Sequence, residues 1–421
     1  VDDPIQGFIM DNAKAGKSGK YKPFFMLSII MTTIGAIALY SLPRGIAQTP
    51  VLVGIWVIGF YLLYDIGTSF YNQNILYRTM TRDVKQRAKL AMGPAMFVLL
   101  ISTVTSGLLA TIVKINENIG NFNTTFMLVV GACCLLSAVI SVIGWFCVKE
   151  RHVVQQEADE KVKLSDFIEL LKTNKAMMVY VAKSVFSGFV WTLLFATPSY
   201  YVKWGFCTDL TTGEVDMAKL GLYGMVVALM MLVPTFLGNL LGAPLLKLFK
   251  GDPIKVGQFN LSVQAVGGFA LFISQVTGLL AKSPAIFFVC LFVMALAIAA
   301  DSIPQSTVEM ELMDYTIYKT GKDRSALTGV LSQFLKKAQS AVSSALVGAV
   351  LIAIGYNVDS VTGNFLGDVA NIPTMLNGFI IIMGLIPAVL AVIAALIYRK
   401  YPLDNKERAV MRAALDAKDE K

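Results

Sequence analysis

Five charged side chains lie inside long apolar runs: Asp65, Lys183, Asp301, Lys336 and Lys337. A charge at bilayer depth costs about 2.5–3.5 kcal/mol on insertion scales, so each must face a wet cavity or a partner of opposite sign. An ammonium held among helices can donate to the hydroxyls of a polar ligand, or balance a carboxylate whose own cation comes and goes. Lys183 and Lys337 are both candidate partners for Asp301. At the end of one apolar run, Asn72, Gln73 and Asn74 stand in a row. Each amide donates and accepts, which suits recognition of a hydroxylated molecule, although the same groups also serve as hydrogen bonds between helices. Asp301 opens a polar break, continued by Ser302, Pro304, Gln305 and Ser306, and broken helices of this kind line binding cavities. Trp191, Tyr200 and Tyr201 offer flat faces for stacking, while Tyr200, Tyr201 and Trp204 equally fit an aromatic belt at a membrane interface. Histidine-based metal or nucleophilic chemistry is excluded, because His152 is the single histidine and sits in a charged connector. Cys133, Cys134, Cys147, Cys207 and Cys290 show no metal or disulfide spacing, so they read as small core residues and no cofactor is expected.

The elements that must position these groups are apolar runs at roughly 24–43, 50–75, 90–115, 124–148, 177–202, 219–246, 254–281, 284–313, 326–355 and 372–398. Most exceed the ~20 residues that cross ~30 Å of hydrocarbon, so tilted or kinked helices are expected, with Pro94, Pro198, Pro234, Pro304 and Pro387 as kink sites. Hydrophobic residues make up 56% of the 421 positions and charged residues only 15%, against about 25% in soluble domains. Mean hydropathy is +0.64. The chain is therefore an all-α integral membrane protein that crosses the bilayer repeatedly.

Charge orients it. The connectors at 11–22, 76–89, 149–177, 247–255 and 316–324, together with the tail from Arg399, hold 28 of the 36 lysines and arginines. By the positive-inside rule these connectors and the C-terminus are cytoplasmic. The net charge of +8 is mostly this topology signal, and nucleic acid is not an expected partner. Residues 4–10 resemble the last turns of a helix entering the first basic connector. The expectation is a chain lacking the first helix and most of the second of a twelve-helix protein. The organisation then divides into an N-terminal transmembrane half at 1–148, a cytoplasmic linker at 149–177, a C-terminal transmembrane half at 178–398 and a cytoplasmic tail at 399–421. Within the linker, 164–171 alternates like an amphipathic helix on the bilayer surface. Two six-helix halves around a central site is the architecture of alternating-access carriers.

Residues 3–25, from Asp3-Pro4 through Gly7 and Asp11 to Gly19-Lys20-Tyr21-Lys22-Pro23, resemble the D-P-x-x-G-x-x-x-D-x-(T/A)-x-x-x-x-G-(R/K)-(F/Y)-(R/K)-P segment of the glycoside–pentoside–hexuronide:cation symporters. That family includes the melibiose permease and belongs to the major facilitator superfamily. Thr81-Arg82-Asp83 through Arg87 is similar to its T-x-D-x-x-E-R. Glu311 through Asp314-Tyr315 to Lys319-Thr320-Gly321-Lys322 is similar to its D-x-x-D-Y-x-x-x-K-T-G-K. The likeness covers essentially the whole chain. It implies the major facilitator fold and places Asp3 at the family's cation-site carboxylate, for H+ or, as a metal site, for Na+. It implies gating roles for Gly7, Asp11 and Asp314, whose charges hold one conformation closed. Lys337 matches the family lysine of the eleventh helix, leaving Lys336 to turn elsewhere and snorkel to the interface. A hydroxyl-bearing cation ligand of the family falls at Gly67, which lacks one and tilts coupling toward protons. An ungapped register also puts Phe70, Asn74 and Ala95 where the melibiose permease binds sugar, so that sugar-site chemistry does not transfer. Asp65, Asn72, Gln73, Asn74, Asp301 and Lys337 remain the substrate or coupling candidates.

The resulting expectation is a secondary active transporter, not an enzyme. It would carry a glycoside, hexuronide or related sugar with H+ or Na+ by alternating access, as a monomer in the inner or plasma membrane. A lysolipid carrier of the same superfamily is the nearest alternative. A membrane-embedded transferase or a non-transporting sensor is the alternative of another class.

Overall fold

The computed structural model describes residues 2–16, 19–106, 112, 115–116, 118–119 and 120–152, then 174–321, 325–358 and 366–419. Helices carry almost all of it, and the strand-like pairings among the described residues are two isolated bridges, Gly16 with Gly19 and Thr208 with Val215. In chain order the helices of eight residues or more are α1 (Asp2–Asn12), α2 (Lys22–Leu39), α3 (Pro50–Phe70), α4 (Gln73–Met80), α5 (Val84–Ser106), α6 (Phe122–Cys147), α7 (Lys175–Ala196) and α8 (Pro198–Phe206). They continue as α9 (Met217–Leu248), α10 (Pro253–Val276), α11 (Pro284–Ala300), α12 (Ser302–Thr320), α13 (Ser325–Ala353), α14 (Ile372–Ile380), α15 (Ile386–Tyr398) and α16 (Asn405–Asp419).

Local chemistry sets the starts. Asn121, Asn174, Asp216 and Asp252 each accept a hydrogen bond from a backbone N–H of the first turn they cap, satisfying donors that a helix leaves open. Proline sits at the first or second position of α2, α3, α8, α10, α11, α14 and α15, where its missing N–H costs nothing. Of the expected kink sites, Pro94 and Pro234 stay inside continuous helices, whereas Pro198 and Pro387 open new segments. Apolar spans break at Tyr71–Asn72, at Thr197 and at Asp301, and a π turn at Ile381–Leu385 interrupts the last one.

Nine spans among the described residues are long and apolar enough to cross a bilayer. The tenth expected run, 90–115, is only partly described. The amphipathic segment 164–171 lies outside the described residues. Val51, Ile55 and Ile58 of α3 and Leu136, Ile140 and Phe146 of α6 are exposed, which a lipid-facing surface requires. The protein is a multi-pass membrane protein.

The chain forms two compact units. The first comprises Val1–Thr173, Glu309–Phe334 and Lys406–Lys421; the second comprises Asn174–Val308 and Leu335–Asn405. In the first, α2 and α3 meet through two glycines. A Cβ on Gly35 would come within 2.9 Å of the Tyr64 backbone nitrogen, and one on Gly67 within 2.9 Å of the Thr32 nitrogen. Small residues let helix backbones approach where no hydrophobic effect drives them together. Gly67→Val is therefore expected to cost about 1–3 kcal/mol through overpacking, read as a lower melting temperature in detergent; an unchanged melting temperature would show that the helices part freely. In the second unit, α9 packs on α11 through Gly238, whose Cβ would meet the Leu296 carbonyl at 2.5 Å. Likewise α10 crosses the π turn where a Cβ on Gly268 would lie 2.6 Å from the Gly384 carbonyl.

Candidate functional site

The second unit carries an open cavity of about 390 Å³. One face of α7 supplies Ser184, Ser187, Gly188, Trp191 and Thr192, and α9 supplies Thr235 and Asn239. Gln264 comes from α10, Asp301, Ser302 and Gln305 from the break between α11 and α12, and Lys336, Gln339 and Ser340 from α13. The polar groups hold one another in place. The Ser302 hydroxyl donates to Asn239 Oδ1 at 2.5 Å, Asn239 Nδ2 donates to the Thr235 carbonyl at 3.0 Å, and Gln339 Nε2 donates to Thr192 Oγ1 at 3.2 Å and Ser343 Oγ at 2.6 Å. Gly188 has no side chain because the Gln339 amide occupies that space. The exposed Trp191 indole leans on Phe195, with ring centroids 4.5 Å apart.

Behind this wall, Lys183 Nζ meets Asp301 Oδ2 at 2.8 Å, with the ammonium also 4.9 Å from the centre of the Tyr398 ring. The Lys183 side chain is fully buried and that of Asp301 is 9% exposed. Of the two partners open to Asp301 on sequence grounds, Lys183 is the one that pairs with it. The expectation for Lys336 is overturned: it joins Gln339 and Ser340, three and four residues on, along the cavity face of α13. Lys337, about 100° further round the helix, is exposed and does not line this cavity. Sequence reasoning missed Gln264, Asn239, Gln339 and the α7 hydroxyls. The α7 signal was present as the hydroxyls of Ser184, Ser187 and Thr192, with Gly188 and Trp191 on the same face, which is helical spacing on an apolar run.

A second constellation lies in the first unit. Asp11 is fully buried; its Oδ1 accepts from the Tyr21 hydroxyl at 3.2 Å and from the Ala326 N–H at 2.9 Å. Ala326 is in the first turn of α13, so the carboxylate caps the positive end of that helix. Arg87 Nη1 pairs with Asp314 Oδ2 at 2.6 Å, with side chains 3% and 7% exposed, and Arg87 Nε donates to the Thr81 carbonyl at 2.7 Å. Arg408 Nε donates to Glu311 Oε1 at 2.5 Å, and Arg82 pairs with Asp416 at 2.9 Å. Met411 and Leu415 of α16 are buried with Ile317 of α12. Burial pulls the Arg412 guanidinium below its ordinary pKa, with Glu311 and Asp314 opposing and the Arg87 and Arg408 charges adding to the pull. The Glu150 carboxylate accepts the backbone N–H groups of Lys20, Tyr21 and Lys22. It fills the space a side chain at Gly19 would need, where φ is +106°. Gly7 is buried on α1 beside Gln6 and Met10.

The remaining candidates separate. Asn72 is buried and caps α4, its Oδ1 accepting from the N–H of Asn74 at 3.0 Å and Ile75 at 3.3 Å; its Nδ2 packs against Gly329. Asn74 is buried and Gln73 exposed. Asp65 is half-buried on α3, and its carbonyl accepts from the Thr68 and Ser69 hydroxyls. Tyr64, Thr68 and Tyr71 beside it line a 580 Å³ cleft with α2 and α6 that Asp65 does not line. Asp3 lies on α1, and its side chain is outside the described residues.

Long apolar helices thus form two compact units, and the second carries a cavity lined by hydroxyls, amides, Trp191 and Asp301. A family model described as "MFS/sugar transport protein" matches residues 1–405, and the chain belongs to that family; it is a transporter and not an enzyme. Two Bacillus subtilis (strain 168) proteins are similar to it. The uncharacterised symporter YjmB is 24% identical over 363 residues, covering 85% of this chain and 72% of the relative. The uncharacterised symporter YnaJ is 23% identical over 420 residues, covering 99% and 84%. Among solved structures, the E. coli fucose:proton symporter matches with a TM-score of 0.65 at 13% identity, covering 96% of this chain and 88% of that one. The fold is that of the major facilitator superfamily, as the resemblance implied.

Proposed function

We propose that the protein is a cation-coupled symporter that carries a sugar or glycoside inward by alternating access. The observation behind this is the cavity of the second unit, whose lining combines amides and hydroxyls with the Trp191 indole. Amides and hydroxyls match the donors and acceptors of a polyol, and an aromatic face matches the C–H face of a sugar ring. Fucose as the solute of the fold relative agrees with this solute class, and the two Bacillus subtilis relatives agree with symport. Asp3 is the proposed cation carboxylate, serving H+ or Na+. Asp11, Gly7 and Asp314 close the cytoplasmic side, the side on which the basic connectors and the C-terminus lie. The protein works as a monomer in the cell membrane.

The two lysines divide the work: Lys336 contacts substrate and Lys337 links cation occupancy to it. Lys336→Ala is expected to raise KM for uptake about tenfold, the value of one charge-assisted hydrogen bond. Lys337→Ala is expected to abolish gradient-driven accumulation while exchange of sugar across the membrane survives. Normal accumulation by the Lys337 variant, with insertion verified, would sink its coupling role.

A further inference from the structure

We infer that the Lys183–Asp301 pair is a fixed substrate anchor, in which Asp301 accepts hydroxyls of the transported sugar and Lys183 positions it. The inference rests on the sugar-transport reading above and adds where in the cavity the sugar is gripped.

Access decides which member meets substrate. Asp301 lines the cavity, whereas Lys183 is fully buried and does not. A solute therefore reaches the carboxylate and not the ammonium behind it. Asp301 sits where α11 ends and α12 begins, its carbonyl accepting the Gln305 N–H at 2.9 Å. Its side chain thus stands beside the positive end of α12. The carboxylate is also held in one orientation. Oδ2 is taken by Lys183 at 2.8 Å, and α10 presents bare backbone at Gly257, where a Cβ would fall 3.2 Å from Asp301 Oδ1 and 2.7 Å from the Tyr398 ring. Nothing larger than glycine fits between them, so Tyr398 is pressed against α10 and over Lys183. A group held this way is preorganised for binding.

The neighbours give the ligand chemistry. Asn239, Ser302, Gln264 and Gln305 stand around Asp301 with both donors and acceptors, and Trp191 supplies a flat apolar face. A charged acceptor flanked by amides suits a pair of adjacent sugar hydroxyls, which donate to the carboxylate and accept from the amides. The charged and titratable groups near Asp301 are Lys183 and Tyr398, with Lys336 elsewhere on the lining.

The test uses the protein in proteoliposomes with labelled L-fucose, D-xylose, D-glucuronate and methyl β-D-glucoside. The sugar that the wild type accumulates most becomes the probe. Asp301→Asn is expected to raise KM for that sugar at least tenfold. Because the single variant strands Lys183, the neutral pair Lys183→Gln with Asp301→Asn is measured beside it. It is expected to recover wild-type insertion and melting temperature while KM remains raised at least tenfold. Recovery of wild-type KM by the neutral pair would reduce Asp301 to a structural role and overturn the anchor. Loss of gradient-driven accumulation with an unchanged exchange KM in Asp301→Asn would make it the coupling group instead. If the wild type accumulates none of the four sugars, the sugar-transport reading falls first, and the anchor with it.

Discussion

Asp314→Asn is expected to destabilise the first unit by about 3–5 kcal/mol, the usual result of removing one member of a buried ion pair. Arg87 stays 3% exposed, with its Nε still tied to the Thr81 carbonyl, so the guanidinium has no easy route to water. Its Nη1 loses a carboxylate oxygen at 2.6 Å and gains an amide that matches neither its charge nor its fork. Replacing both residues by methionine is expected to recover most of the loss, since paired apolar groups avoid the desolvation penalty altogether. A melting curve in detergent for the single and double variants checks this. Equal melting temperatures for wild type and Asp314→Asn would mean that Arg87 reaches solvent or another anion.

Asp11→Ala is expected to cost about 1–3 kcal/mol, combining a lost cap at about 0.5–2 kcal/mol with a lost charge at a helix N-terminus at about 0.3–1 kcal/mol. It also leaves the Ala326 N–H and the Tyr21 hydroxyl without their acceptor in a buried place. Asp11→Asn keeps an acceptor oxygen and loses only the charge, so about 1 kcal/mol is expected. The order, alanine worse than asparagine, distinguishes a capping carboxylate from a solvated one. Amide hydrogen exchange at the start of α13 gives the local readout: faster exchange at Ala326 in both variants, more so in alanine. Equal exchange in all three proteins would remove Asp11 from the cap.

The sequence made the buried charges easy to find, because desolvation makes a lysine or aspartate in an apolar run rare. It made their partners hard to choose. Lys183 and Asp301 are 118 residues apart, and only the way α7 meets the end of α11 selects Lys183 over Lys337. The choice between Lys336 and Lys337 was illegible for a related reason. Adjacent residues differ by about 100° around a helix, and the rotation of α13 is set by Gln339 fitting against Gly188. The row of amides at 72–74 promised one function and divided into three environments once α3 broke at Tyr71. Gly67, marked in the sequence for lacking a ligand hydroxyl, has a packing reason to be glycine, which is the approach of α2. The tail read simply as basic, yet Arg408, Met411 and Leu415 recur at helical spacing and dock α16 on α12. That pattern was visible, but the topology count of lysines and arginines absorbed it.

Coupled sugar transport is read out by flux. Proteoliposomes containing the protein would be given labelled L-fucose, D-xylose, D-glucuronate and methyl β-D-glucoside under an inward proton gradient, an inward Na+ gradient, or neither. The account predicts that one of these sugars accumulates above its external concentration under one gradient, and that collapsing the gradient with an ionophore stops the accumulation. Equilibration without accumulation under both gradients would contradict coupling, and no entry of any sugar by inserted protein would contradict the transport reading itself.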